Sequence, residues 1–190
     1  INEDLELSFR YAWYSSERFG FVKQSMLKNH GSGTTEVELL DGLQNILPSG
    51  VDQGLQLSSS NLLDAYKRQE LIAGTTLGIY RLSSVPTDAA EPSEALKVNS
   101  IWSTGLREDA ILLSSEQVDA FRAGYPLRSE KDIKATRGAY FVHASLGLAG
   151  GKGHQWMLIA EVNNDAADLA ALVDLLKSDK PVAKLVEEDI

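Results

Sequence analysis

The chain contains no cysteine. Disulfides, thiolate metal centres and cysteine nucleophiles are therefore excluded. Histidine is almost as scarce. His30, His143 and His154 are the only three, and none falls in the HxH or HExxH spacing of a zinc site. No apolar run approaches the roughly 20 residues that span a bilayer. Positive charge is also in short supply: 18 Lys and Arg stand against 27 Asp and Glu, for a net charge of −9. Nucleic-acid binding needs a basic stripe that replaces phosphate counterions, so the charge argues against that partner and against an anionic membrane surface. A neutral ligand such as an oligosaccharide is compatible with it. Gly150-Gly151-Lys152-Gly153 is not a phosphate loop, because it joins two strand-like segments and no helix follows. Asn163-Asn164-Asp165 lacks the spacing of a calcium loop and reads as a helix cap. Neither metal nor cofactor is expected.

What is present is an ordinary globular composition, 43% hydrophobic and 24% charged over 190 residues. That length buries a real core without staples. Residues 5–14 alternate, with Leu5, Leu7, Phe9, Tyr11 and Trp13 on one face, which predicts a half-buried strand. A second strand is expected over 19–29, a turn at His30-Gly31-Ser32-Gly33, and a third strand from 34 to about Gly42. Residues 49–60 read as loop and 60–67 as a short helix. Strands are expected near 75–84, 95–103 and 110–113, with a loop bracketed by Pro86 and Pro92 between the first two. A helix capped by Ser115 ends near Gly124, and 125–137 reads as an exposed loop. Tyr140 to Leu148 and His154 to Val162 are read as a hairpin about Gly151. That register sets Val142, Ala144 and Leu146 against Ala160, Leu158 and Trp156 on one apolar face. Asp165 then caps a helix with Asp168 in its first turn, Lys177 in its last, and Pro181 as a break.

The strand ending Leu27-Lys28-Asn29, its polar turn, and the returning Val37-Glu38-Leu39-Leu40 form one recognisable unit. Leu146 to Gly151, Trp156 to Ala160 and the acid-capped helix form another. With Phe121 to Leu127, this order resembles the β-supersandwich domain of cellobiose and chitobiose phosphorylase-type proteins, over roughly 19–48 and 111–177. The resemblance implies a mainly β fold: an antiparallel sandwich of the galactose-mutarotase-like type with two or three short α-helices. It also implies a carbohydrate context and an adjoining helical catalytic barrel of the same parent protein. The opening at Ile1 and the ending Glu187-Glu188-Asp189-Ile190 read as those of an excised piece. Residues 1–164 are expected to be the sandwich, and 165–190 a helix and linker towards a missing domain.

Sugar binding needs flat aromatic surfaces ringed by hydrogen-bonding groups. Trp13 and Trp156 fall on apolar strand faces and read as core. Trp102 stands at a strand end beside Ser103, Thr104, Gly105, Arg107 and Glu108. Trp102, Tyr125 and Arg107 are therefore the carbohydrate-binding candidates, against core packing for Trp102 and a plain exposed turn for Tyr125. A mutarotase-type reaction needs a general base and acid. The hairpin register makes His143 and Glu161 the one pair that can be built, against a half-exposed strand histidine as the plainer account. The expectation is thus a non-catalytic domain supporting a helical barrel, with a homodimer as a further partner. The alternatives are a free-standing carbohydrate-binding module or a small aldose 1-epimerase-like enzyme.

Overall fold

Strand β1 (Leu7–Ser16) forms where apolar and polar residues alternate, and ten unbroken pairs tie it to β2 (Gly20–Asn29). The computed structural model describes residues 2–84 and 96–190. Pro86 and Pro92, with the loop they were expected to bracket, lie outside the described residues. After β2 come β3 (Thr35–Ile46), α1 (Gln53–Ser58), α2 (Ser60–Tyr66), β4 (Lys67–Leu71), β5 (Gly78–Leu82), β6 (Val98–Thr104) and β7 (Ala110–Leu112). The chain continues through α3 (Val118–Arg122), β8 (Asp132–Lys134), β9 (Gly138–Leu148), β10 (Gly153–Asn164), α4 (Ala166–Lys177) and α5 (Val182–Glu187).

The strands make two antiparallel sheets, one of seven in the order β1-β2-β10-β6-β5-β4-β8 and one of three in the order β3-β9-β7. They pack face to face, so the mainly β sandwich expected from the sequence is the observed architecture. Five helices, rather than two or three, accompany it among the described residues.

One expectation is corrected. β9 and β10 do not pair as a hairpin. β9 pairs with β3 and β7, and β10 pairs with β2 and β6, so the turn between them carries the chain from one sheet to the other. Gly151 supplies a φ of +72 in that turn. The apolar face read from the sequence survives, but as the two halves of the inter-sheet core. Val142 and Tyr140 from β9 meet Leu158 from β10 and Ile101 and Tyr80 from its sheet. The small sheet is drawn tight at Gly42. A Cβ there would lie 2.1 Å from the Tyr140 carbonyl oxygen.

The outer face of the large sheet is covered by α4 and α5. Leu169, Leu172, Val173 and Leu176 lie on a core of Phe19, Val22, Ile79, Trp102, Met157, Ile159 and Val186. Residues 165–190 thus contribute two helices to this packing, and Val186 of α5 is fully buried. Residues 67–104, which the resemblance did not cover, supply β4, β5 and β6 of the large sheet.

The start of α4 bears out the expected capping box. Asp165 accepts from the backbone N–H of Ala167 and Asp168, at 2.8 and 3.0 Å, and Asp168 accepts from the Asp165 N–H at 3.0 Å. Those backbone donors hold the Asp165 carboxyl below its usual value of 3.8. A carboxyl lowered on folding stabilises the protein above its unfolded pKa and loses that contribution as pH falls through the folded one. Asp109, held down by the Ser145 hydroxyl and N–H, has the same sign. Stability measured by urea titration is expected to fall as pH drops below about 4. Asp165→Ala should show a shallower fall. An equal slope in the variant would remove the cap from the account.

Candidate functional site

On β1, residues two apart share a face. Phe9, Tyr11 and Trp13 therefore line up on the inner side of the large sheet, opposite Leu27, Ser25 and Lys23 of β2. The small sheet is too narrow to cover them. Its edge strand β3 rests above β2 and β10, where Val37 and Leu39 pack on Leu27 and Trp156. The three rings stay 45%, 60% and 49% exposed in chain order. The sequence placed Trp13 in the core, and the structure corrects that. Phe9 stacks on Trp156 with centroids 5.9 Å apart and lies 6.0 Å from Tyr11. A cleft of about 250 Å³ runs between this row and β3, bounded by Phe9, Leu27, Leu39, Asp41 and Trp156.

Beneath the row lies a buried polar cluster joining the two sheets. Asp41 of β3 forms an ion pair with Lys23. The other Asp41 oxygen accepts from Ser25 Oγ at 3.1 Å and from Trp156 Nε1 at 2.8 Å. The Lys23 ammonium also lies 5.3 Å from the centroid of the Tyr11 ring. These groups satisfy one another, so the floor of the strip offers little unspent hydrogen-bonding capacity.

The residues singled out from sequence lie elsewhere. Trp102 is 2% exposed, edge-on to Phe19 beneath α4 and α5, so little of its ring reaches the cleft that it lines with Arg18 and Glu161. Of its polar neighbours in sequence, Ser103 and Thr104 close β6 and the others follow it, whereas its own ring belongs to the outer core. Tyr125 is exposed just after α3, beside the small sheet, and Arg107 is exposed in the connection between β6 and β7. The three do not form one surface. His143 and Glu161 are also apart. The corrected pairing puts His143 on the outer face of the small sheet, where its Nε2 lies 2.7 Å from Glu38 and its ring meets Phe121 edge-on. Glu161 lies on the outer face of the large sheet, in a cleft with Arg18 and Asp168 of α4. The whole sandwich stands between the two, so they cannot act on one sugar ring.

A second cavity, of about 540 Å³, opens where α1 and α2 close one end of the sandwich, lined in part by Asn45, Gln53, Gln56, Lys67 and Arg137. Lys67 is buried there and donates to Gln56 Oε1 at 2.5 Å and to Asp64 at 2.7 Å. Burial pushes the Asp64 carboxyl up, but the Lys67 hydrogen bond and charge outweigh that and hold it low. No aromatic ring lines this cavity, so it lacks the stacking surface a sugar site needs.

Among the described residues, no group of three metal-ligating side chains converges, and no helix is long and apolar enough to cross a membrane. No protein-family model matches the chain, and no curated protein matches it.

Proposed function

We propose that this chain is a non-catalytic β-sandwich domain of a larger carbohydrate-active protein, a glycoside phosphorylase or hydrolase, and that it seats a helical catalytic barrel. The observation that carries the docking role is the uncovered row Phe9-Tyr11-Trp13 on one strand, beside buried core clusters on both faces of the large sheet. Three large rings held half in water on a rigid strand are the kind of surface that another folded domain buries. The carbohydrate context rests on the sequence resemblance.

A carbohydrate-binding module is the second reading, favoured by the same aromatic row. It ranks below the first because sugar recognition needs free polar groups around the stacking surface. Here Lys23, Asp41, Ser25 and the Trp156 indole are already bonded to each other.

Saturation-transfer NMR with gluco-, galacto-, xylo- and chito-oligosaccharides separates the readings. The docking role predicts no transfer to any sugar and no product after prolonged incubation. It also predicts that oxidative footprinting labels Tyr11 and Trp13 in this chain and spares them in the parent protein. Turnover of an oligosaccharide by the chain alone would overturn the proposal. Transfer that disappears in Trp13→Ala would replace it with the module.

A further inference from the structure

A sheet edge is a row of unpaired N–H and C=O groups, and folded proteins usually block it with short strands, charges, prolines or bulges. Three of the four edges in this sandwich carry such a device. β8 is three residues long, with Asp132 and Lys134 at its ends. β7 also has only three residues. β3 is long but carries Glu36, Glu38 and Asp41, and its register shifts between Gln44 and Ile46. The fourth edge, β1, has none of these devices. It runs ten residues without a register shift, contains neither proline nor lysine, and has Arg10 as its one charge. Among the described residues, the only strand pairing of β1 besides that with β2 is a bridge from Asn2 to Leu7 at its first residue, outside the stretch Ser8 to Ser16.

We infer that β1 pairs antiparallel with β1 of a second copy of this chain. The sequence of the strand is self-complementary in that arrangement. A two-fold axis perpendicular to the sheet keeps each face on its own side, and paired residues share a face. The axis must therefore pass through a residue. Ala12, the smallest side chain of the central stretch, leaves the closest approach free. Centred there, Tyr11 faces Trp13 of the other copy on the inner face, twice. On the outer face, Arg10 faces Tyr14 of the other copy, twice, so the strand's one cation meets an aromatic ring and not its own twin. Fourteen strands then form one continuous sheet from two sheets of seven. The two aromatic rows become one row of six rings. This pairing uses the backbone edge of β1, whereas the proposed docking role uses side-chain faces, so either can hold without the other.

Ala12 is exposed and lies on the outer face, so a charge placed there leaves the core of the monomer alone. In the dimer it would stand directly opposite its own copy, where like charges repel. Sedimentation velocity at micromolar concentrations should give a species of twice the 20.7 kDa chain mass. Ala12→Lys and Ala12→Glu should each weaken that dimer by about tenfold or more, with unchanged circular dichroism and thermal midpoints at low concentration. An equimolar mixture of the two variants should dimerise again, because Lys now faces Glu. A parent chain that stays monomeric overturns the inference. So does a dimer indifferent to either substitution, or a mixture of folded variants that fails to re-form it.

Discussion

Replacing Trp102 with alanine is expected to cost about 3–5 kcal/mol of folding stability, the usual range for removing a fully buried aromatic ring. The ring is 2% exposed and sits edge-on to Phe19, with centroids 6.1 Å apart. It belongs to the cluster that receives Leu169, Leu172 and Val173 of α4 and Val186 of α5. Its loss would open a cavity between the sheet and both helices. α4 carries its apolar stripe on one side only, so it has little other reason to stay docked. A domain of this size has roughly 5–15 kcal/mol in total, so the variant stands near its unfolding threshold. Urea or guanidinium unfolding measures the loss as a lowered midpoint at unchanged slope. A variant that unfolds within about 1 kcal/mol of the parent would mean that Trp102 is not the core residue described. A ligand anchor would behave in the opposite way: the fold would stay intact and binding alone would be lost.

Trp102 also illustrates what periodicity can and cannot resolve. Its sequence neighbours are polar because β6 ends at Thr104, two residues later, yet alternation sends the ring itself to the outer face beneath α4. Strand positions were legible for β1 by its alternation, and for β2, β9 and β10 by segments rich in apolar residues bounded by Gly or Asn turn residues. The partner of each strand was not legible. Val142, Ala144 and Leu146 face Trp156, Leu158 and Ala160 equally well within one sheet or across two, since the side-chain period is the same. The hairpin reading and the sandwich reading therefore predict one core and two topologies, and the candidate pair His143–Glu161 depended on the wrong one.

β4 was missed for a different reason. Its buried positions are Lys67, which donates to Gln56 and Asp64, and Gln69, whose Nε2 donates to the Thr136 carbonyl while its Oε1 has no partner, so it shows no apolar face to read. The α4 cap was legible in full, because a capping box is written in residues three apart and needs no distant partner. The aromatic row of β1 was visible as a pattern but read as core. Whether a face is covered depends on the width of the opposite sheet, and no local pattern encodes that.

The polar cluster beneath that row yields the other large effect. Asp41→Ala is expected to cost about 3–5 kcal/mol, the range for removing one partner of a buried ion pair. The side chains of Lys23 and Asp41 are 9% and 13% exposed, so water replaces little of what is lost. The substitution strands the Lys23 ammonium and leaves Ser25 Oγ and Trp156 Nε1 without their acceptor. Those three donors sit on β2 and β10 of the large sheet, and the acceptor sits on β3 of the small one. The cluster is thus a polar clasp between the sheets at the point where the apolar core gives way to the open edge. A pair replaced together by apolar residues of similar volume escapes the penalty of the lone charge. The double variant Lys23→Met with Asp41→Leu should therefore regain the part of the loss that comes from the lone ammonium, while Ser25 Oγ and Trp156 Nε1 still lack their acceptor. Chemical unfolding of Asp41→Ala and of the double variant provides the test. A cost below about 1 kcal/mol for Asp41→Ala would show that Lys23 reaches water without its partner, and the clasp would then be no more than a surface ion pair. With the expected cost, the same melt carries information about the aromatic row. Lys23 lies against the Tyr11 ring, so an ammonium freed from Asp41 has the Tyr11 face as its nearest remaining partner. Tyr11→Leu should then cost more stability in the Asp41→Ala background than in the parent. A smaller or equal cost there would place the Lys23 charge away from the ring and separate the clasp from the strip above it.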